Sequence, residues 1–150
     1  MRNDGRLSRM LHILIHMARH NGPMTSDTLA GMLRTNPVLI RRTMSGLRDA
    51  GYVRSEKGHG GGWAIAADLN AVTLLDVHRA VGGSRFFAVG IERPEPGCQI
   101  ADIVNEAVGD ALNEAEQLLI RRLGSITLAT LVQTFDARCG GGVDQAAGMS

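Results

Sequence analysis

The chain has 150 residues, 44% of them hydrophobic but only 3% aromatic, so one domain plus an accessory element can bury an aliphatic core. Two cysteines exclude a disulfide scaffold, and the absence of a signal peptide or an 18-residue apolar run predicts a cytoplasmic protein with no membrane partner. Ten Lys and Arg against four Asp and Glu give residues 1–66 a charge of +6, whereas residues 67–150 carry −5, which favours a polyanion partner for the first half.

The first predicted helix spans residues 7–21, where leucine, isoleucine and methionine recur at intervals of three and four. Its polar strip contains His12, His16 and His20, spaced four apart on one face. Such spacing can chelate a transition metal, but no carboxylate or cysteine stands next to them to complete a coordination shell. We therefore predict ordinary hydrogen bonding and no metal site, with chelation as the alternative.

Residues 25–66 hold the pattern around which the chain is organised. The hydroxyls of Thr25 and Ser26 can cap a short helix. Pro37 then begins a second helix that runs to about residue 49, because proline has the φ angle of a first helical turn. A left-handed cap at Gly51 is expected to end this helix.

The second of these helices is predicted to have an apolar face and a basic face. The side chains expected to face the core are Val38, Ile40, Met44 and Leu47. Those left largely outside are Arg41, Arg42, Ser45 and Arg48. Because arginine makes bidentate contacts to phosphate or guanine, the outer face is suited to reading DNA.

Residues 52–66 predict a hairpin, since two short runs with alternate apolar residues, 52–55 and 63–66, flank a glycine-rich tip. The tip opens no helix and lacks a following Lys-Ser/Thr, which argues against a nucleotide-binding glycine loop. Helix, turn, helix and hairpin form the winged helix-turn-helix plan, with the second helix in a major groove and the wing on the backbone or minor groove. A purely structural helical pair is the alternative, but basic side chains on both elements favour double-stranded DNA. The predicted DNA-binding residues are Thr35, Asn36, Pro37, Val38, Arg41, Arg42, Ser45, Lys57, His59, Gly60 and Gly61.

The acidic half is predicted to be mostly helical. The expected elements are a short helix from a Thr73–Asp76 capping box to Gly82-Gly83, a loop over 84–97, a long helix over 98–123 and a short helix over 127–135. The fold class is thus mainly α (α+β). Its predicted parts are a winged helix-turn-helix domain (1–72), an effector loop with dimerisation helices (73–136) and a Gly/Ala-rich disordered tail (137–150).

The long helix is predicted to pair with its own copy. Alanines near its centre permit close antiparallel packing of two helices. A core helix within one chain is the alternative. The dimer is favoured because a two-fold symmetric protein that binds two DNA half-sites needs a spacer that sets its two recognition helices about one DNA turn apart. The predicted homodimer residues are Ile100, Val104, Ala107, Val108, Ala111, Ala115 and Leu118.

The chain resembles the Rrf-two (Rrf2) family of bacterial winged-helix regulators, of the IscR, NsrR and CymR type. The resemblance is carried by LRDAGYVRSEKGHGGGWAIA (47–66), VTLLDVHRAVGG (72–83), SITLATLV (125–132) and the long helix. It covers nearly everything between residues 7 and 132. It implies a homodimeric transcription factor, most often a repressor, that binds a DNA operator.

Many members of that family hold a 2Fe–2S cluster through three cysteines before and at the start of the long helix. Only Cys98 stands there in this chain, so the resemblance implies the cluster-free branch and we expect no cofactor. Cys98 is a candidate redox-sensing thiol, because a helix N-terminus favours the reactive thiolate. The alternative is an inert cysteine buried at the dimer interface. Since some relatives use a histidine of the first helix, His12 of one subunit with Cys98 of the other remains an alternative metal or cluster site.

Two other classes of function were weighed against a transcriptional regulator. An enzyme is disfavoured because the sequence shows no nucleophile–base grouping and no paired carboxylates in an apolar context. A winged-helix protein-interaction module without DNA binding is also disfavoured, because it would not need the charge of +6 on residues 1–66. Sequence-specific DNA binding, with a possible response to thiol oxidation, is therefore the predicted function.

Overall fold

A computed structural model describes residues 5–83, Phe86 and residues 97–139 of the chain. Over those residues it contains six helices and a two-stranded antiparallel sheet, which confirms the predicted fold class. The elements are α1 (Arg6–Arg19), α2 (Ser26–Leu33), α3 (Pro37–Asp49), β1 (Val53–Glu56), β2 (Gly62–Ile65), α4 (Leu74–Ala80), α5 (Gln99–Gly124) and α6 (Leu128–Cys139). The loop predicted over 84–97 lies outside the described residues apart from Phe86 and Gly97.

Local capping sets the starts of α2, α3 and α4. Thr25 and Asn36 each accept a hydrogen bond from a backbone N–H of the following first turn, at 3.1 and 2.8 Å. Thr73 and Asp76 form the predicted capping box, with each side chain accepting from the other residue's N–H. Gly51 adopts the predicted left-handed conformation after α3, at φ +84°.

The hairpin is fastened to the start of α2 by Trp63. Its backbone pairs with Met24 through two hydrogen bonds of 2.8 and 2.9 Å, and its indole N–H donates to Ser26 Oγ at 2.9 Å. Ser26 was predicted to share the capping of α2, but the cap is Thr25 and the Ser26 hydroxyl serves the hairpin instead. The next residue towards the tip, Gly62, lies so close to Met24 that a Cβ there would be 2.6 Å from its backbone. The hairpin is therefore held at one fixed angle to the helices.

One hydrophobic core joins α1 to α4, the hairpin and the start of α6. Its buried members are Met10, Ile13, Leu14, Met17, Met24, Leu29, Ala30, Ile40, Met44, Leu47, Val53, Trp63, Val72, Leu74, Val77 and Leu128. α6 returns to α1, where Arg19 forms an ion pair with Asp136 and lies 4.8 Å over the ring of Phe135. These contacts join the end of α1 to α6.

α6 corrects one boundary of the predicted tail. Disorder was expected from residue 137, whereas α6 continues as regular helix to Cys139. The predicted tail beyond that point lies outside the described residues.

Candidate DNA-binding interface

The inward face of α3 is formed by Ile40, Met44 and Leu47, all fully buried as predicted. Val38 was expected to join them, and that prediction is wrong because its side chain is 52% exposed. At 100° per residue, Val38 lies about 200° around the helix from Ile40, on the opposite face. It stands there with the exposed Arg41 and Arg42, three and four residues further on.

The outer arginines of α3 have free guanidinium groups. Within the described part of the chain, the guanidinium group of neither Arg41 nor Arg42 forms a hydrogen bond or an ion pair. In contrast, Arg19 pairs with Asp136, Arg48 with Asp49 and Arg54 with Glu56. The two arginines on this surface are thus available for an external acceptor without first breaking a contact.

The polar residues beside these arginines are partly engaged within the fold. Asn36 uses its side-chain oxygen as the cap of α3 and keeps its amide NH₂ for another partner. The Ser45 hydroxyl donates to the Arg41 carbonyl oxygen at 2.9 Å, so it can only accept from a ligand. Thr35 is half-buried, and its backbone N–H bonds to Ala30 of α2. These residues frame the two arginines and fix the backbone that carries them.

The tip of the hairpin exposes Lys57, His59 and Gly60. Gly61 folds the tip back, since its N–H bonds to the Gly58 carbonyl at 3.0 Å and a Cβ at this position would collide with backbone atoms. A tip without side chains at 58 and 60–62 lets its backbone approach a phosphate closely. The Lys57 ammonium also lacks an ion-pair partner among the described residues.

Arg34 is a basic residue that the sequence did not single out. It caps the end of α2 in the left-handed conformation, at φ +51°, and its exposed side chain has no ion pair within the described residues. It lies in the turn between the two helices, two residues before Asn36. The sequence signal that could have identified Arg34 is a basic residue at the end of a helix, at a position where glycine or asparagine is usual.

Arg54 lies behind the hairpin rather than at its tip. Arg54 donates hydrogen bonds to Glu56 at 3.1 Å and to the Ile65 carbonyl at 3.0 Å. It also lines a groove with a volume of about 470 Å³ between the hairpin and the end of α1. Nearby, burial and secondarily the negative charge of Asp76 raise the pKa of Tyr52 above its ordinary value. The phenol therefore stays neutral at physiological pH and adds no charge to the basic surface.

The predicted dimer residues all lie on an unburied helix. α5 spans 26 residues, about 39 Å, and has no buried side chain, although it contacts α4. Ile100 is 76% exposed, and Val104, Val108 and Leu118 are also exposed large hydrophobic residues. The exposed Ala107, Ala111 and Ala115 continue the same stripe.

The histidine strip does not assemble a three-ligand site. His12 and His16 are hydrogen-bonded through their Nε2 atoms at 2.9 Å, whereas His20 Nδ1 turns to the Gly22 carbonyl at 3.2 Å. In the described portion of the chain, no three His, Cys, Asp or Glu side chains come together as a metal site. Cys98 is the N-cap residue of α5, and its thiol is exposed in the single chain.

This arrangement defines a winged helix-turn-helix protein of the nucleic-acid-binding class. A family model named Rrf2 and described as "Iron-dependent Transcriptional regulator" matches residues 4–134. The chain therefore belongs to the Rrf2 family of transcriptional regulators, which confirms the resemblance seen in its motifs. Its members are regulators and not enzymes.

Individual relatives agree with this assignment. YffB of Lactococcus lactis, whose name describes an HTH-type transcriptional regulator, is 30% identical over 123 residues, covering 79% of each chain. A transcriptional-regulator structure from Lactobacillus plantarum has a TM-score of 0.71 at 23% identity, over 89% of this chain and 90% of the other. The global cysteine regulator CymR of Bacillus subtilis gives 0.58 at 24% identity, over 89% and 98%. These two structures support the fold alone.

The family description mentions iron dependence, but the cysteines of this chain do not match a cysteine-held iron–sulfur cluster. A cysteine-held cluster needs several thiolates, whereas this chain has two cysteines, one at the start of α5 and one at the end of α6. The described residues therefore do not fit the three-cysteine cluster. None of the described helices is long and apolar enough to cross a membrane.

Proposed function

We propose that the protein is a homodimeric repressor that reads a specific DNA operator with α3 and touches the flanking backbone with its wing. The observation that carries the proposal is the pair of unpaired guanidinium groups of Arg41 and Arg42 on the face of α3 opposite the core. Phosphate contacts position such a protein, and contacts to base edges in the major groove give it specificity. A dimer bound across a promoter blocks polymerase by occupancy, so repression requires no further surface.

The homodimer is proposed to form through α5. Its exposed apolar stripe would remain in water in a monomer, and alanines at 107, 111 and 115 allow two helices to approach closely. The resulting two-fold axis would place two copies of α3 for successive major grooves.

The wing supplies the test that separates DNA binding from protein binding. Operators are selected from a random duplex pool, and their affinity is then measured against salt concentration. Lys57→Ala is expected to weaken binding and to reduce the slope of log K against log salt by about 1.8, because each of the two wings of the dimer loses one phosphate contact worth about 0.9. Arg79→Ala removes the same charge from the exposed side of α4 and is expected to leave the slope unchanged.

Two results would contradict the proposal. Failure of the selection to enrich any sequence would remove the operator-reading function altogether. Equal salt slopes for wild type and Lys57→Ala would show that the wing stands clear of the DNA.

We propose further that the protein works without a 2Fe–2S cluster and responds to thiol oxidation at Cys98. The thiol is exposed at the start of the helix that would set the spacing of the two reading helices. Attack of the thiolate on peroxide forms a sulfenic acid and releases hydroxide. A second thiol can then displace water to leave a mixed disulfide. Either product adds bulk and polarity at the origin of α5.

Mild peroxide is expected to weaken operator binding by wild type and by Cys139→Ser, but not by Cys98→Ser. Cys139 is the matched control because its thiol is also exposed, at the end of α6. An equal response of all three proteins would disprove the thiol switch. Visible iron–sulfur absorption after anaerobic purification would disprove the cluster-free state.

A further inference from the structure

The first turn of α3 presents one large apolar side chain to solvent. Val38 is 52% exposed, although valine is among the residue types most often found inside proteins. It adds nothing to the core, and its β-branched side chain makes it a weaker helix former than Ala, Glu or Lys. A residue that breaks local preference without stabilising the fold is a candidate for function.

The surroundings of Val38 identify what it could meet. Arg41 and Arg42 follow it by three and four residues, so all three side chains share the outer face of α3. Its own N–H is held by Asn36 Oδ1 at 2.8 Å, which fixes the backbone of the first turn. A valine in a helix occupies essentially one χ1 rotamer, so this apolar group is also fixed in direction.

We infer that Val38 contacts the 5-methyl group of a thymine in each operator half-site and thereby specifies that base. The thymine methyl is the apolar group that base pairs present on the major-groove edge, whereas arginine pairs with guanine. Val38 is a fixed apolar group beside two unpaired arginines, Arg41 and Arg42. This combination matches a half-site in which a thymine lies within a few base pairs of a guanine. This inference rests on the proposed function, because it requires α3 to lie in the major groove.

Deoxyuridine provides the test, because it differs from thymidine by that methyl group alone. Each thymine of the selected operator is replaced in turn, in both half-sites, and the affinity is measured. In each half-site, replacement of one particular thymine is expected to weaken wild-type binding about fourfold, which is the effect of removing one buried methyl-sized group. Val38→Ser is expected to bind the thymine and deoxyuridine operators equally, whereas Val38→Thr, which keeps a methyl, retains part of the difference.

The outcomes separate this inference from the function on which it rests. If the protein selects an operator but no deoxyuridine position shows a penalty that Val38→Ser removes, the thymine contact is wrong and operator reading stands. If no DNA is selected, both fail. Thermal melting of Val38→Ser confirms folding, and melting like wild type is expected because the side chain is exposed and leaves no cavity.

Discussion

Replacing Ala111 with glutamate is expected to convert the proposed homodimer into monomers. Ala111 is exposed in the single chain and stands at the centre of the apolar stripe on α5. Near a two-fold axis, the two introduced carboxylates would face each other in an apolar contact without a partner. The expected cost of about 3–5 kcal/mol would raise the dimer dissociation constant by about two to four orders of magnitude. Sedimentation measured at several concentrations reports the change directly.

Asn113→Glu is the matched control for this experiment. It introduces the same charge two residues away, about 200° around α5, at a position that is also exposed. We expect it to remain dimeric. An intact Ala111→Glu dimer would place the interface on another surface. Weaker operator binding should accompany dissociation, because a monomer loses the gain from two linked reading helices.

The elements of this protein could be predicted from sequence where local chemistry decides them. Asn36 and Thr73 cap their helices with side-chain oxygens that reach only two or three residues along the chain. Gly51 ends α3 because its backbone conformation suits glycine, again a local property. Helix starts and the arrangement of helix, helix and wing were therefore accessible without tertiary information.

Contacts between distant residues were not accessible in the same way. The bond from the Trp63 indole to Ser26 joins residues 37 apart, and the ion pair between Arg19 and Asp136 joins residues 117 apart. Sequence patterns could not show which arginines are engaged and which are free. That distinction separates Arg41 and Arg42 from Arg19, Arg48 and Arg54, so this feature of the predicted site became visible only in the fold.

Val38 shows how a pattern can mislead within a correctly predicted helix. It was counted as inward because it is apolar, although its phase relative to Ile40, Met44 and Leu47 places it outside. Val38 was also predicted to contact DNA, and its exposed position in the first turn of α3 is compatible with that prediction. The helix phase therefore removes Val38 from the core and leaves it on the surface proposed to face the groove.

Arg41→Ala and Arg42→Ala are expected to produce the largest losses of specific binding. An arginine bidentate to guanine contributes about 1–3 kcal/mol per half-site, so a two-fold operator should lose about 2–6 kcal/mol. The matched control is Arg48→Ala on the same helix, since Arg48 is exposed but pairs with Asp49 at 3.6 Å. Competition between the selected operator and random duplex, at fixed salt, measures the specificity ratio for each variant.

The two arginines need not act alike, and the competition assay distinguishes their roles. Loss of a base-reading arginine should reduce operator affinity and relax selection at one position of each half-site, while binding to random duplex falls little. Loss of a phosphate-binding arginine should weaken both duplexes equally and lower the salt slope. We expect at least one of the two variants to follow the first pattern, because both guanidinium groups are exposed and have no partner among the described residues. Unchanged specific and random binding in both variants would show that α3 does not enter the groove through this face.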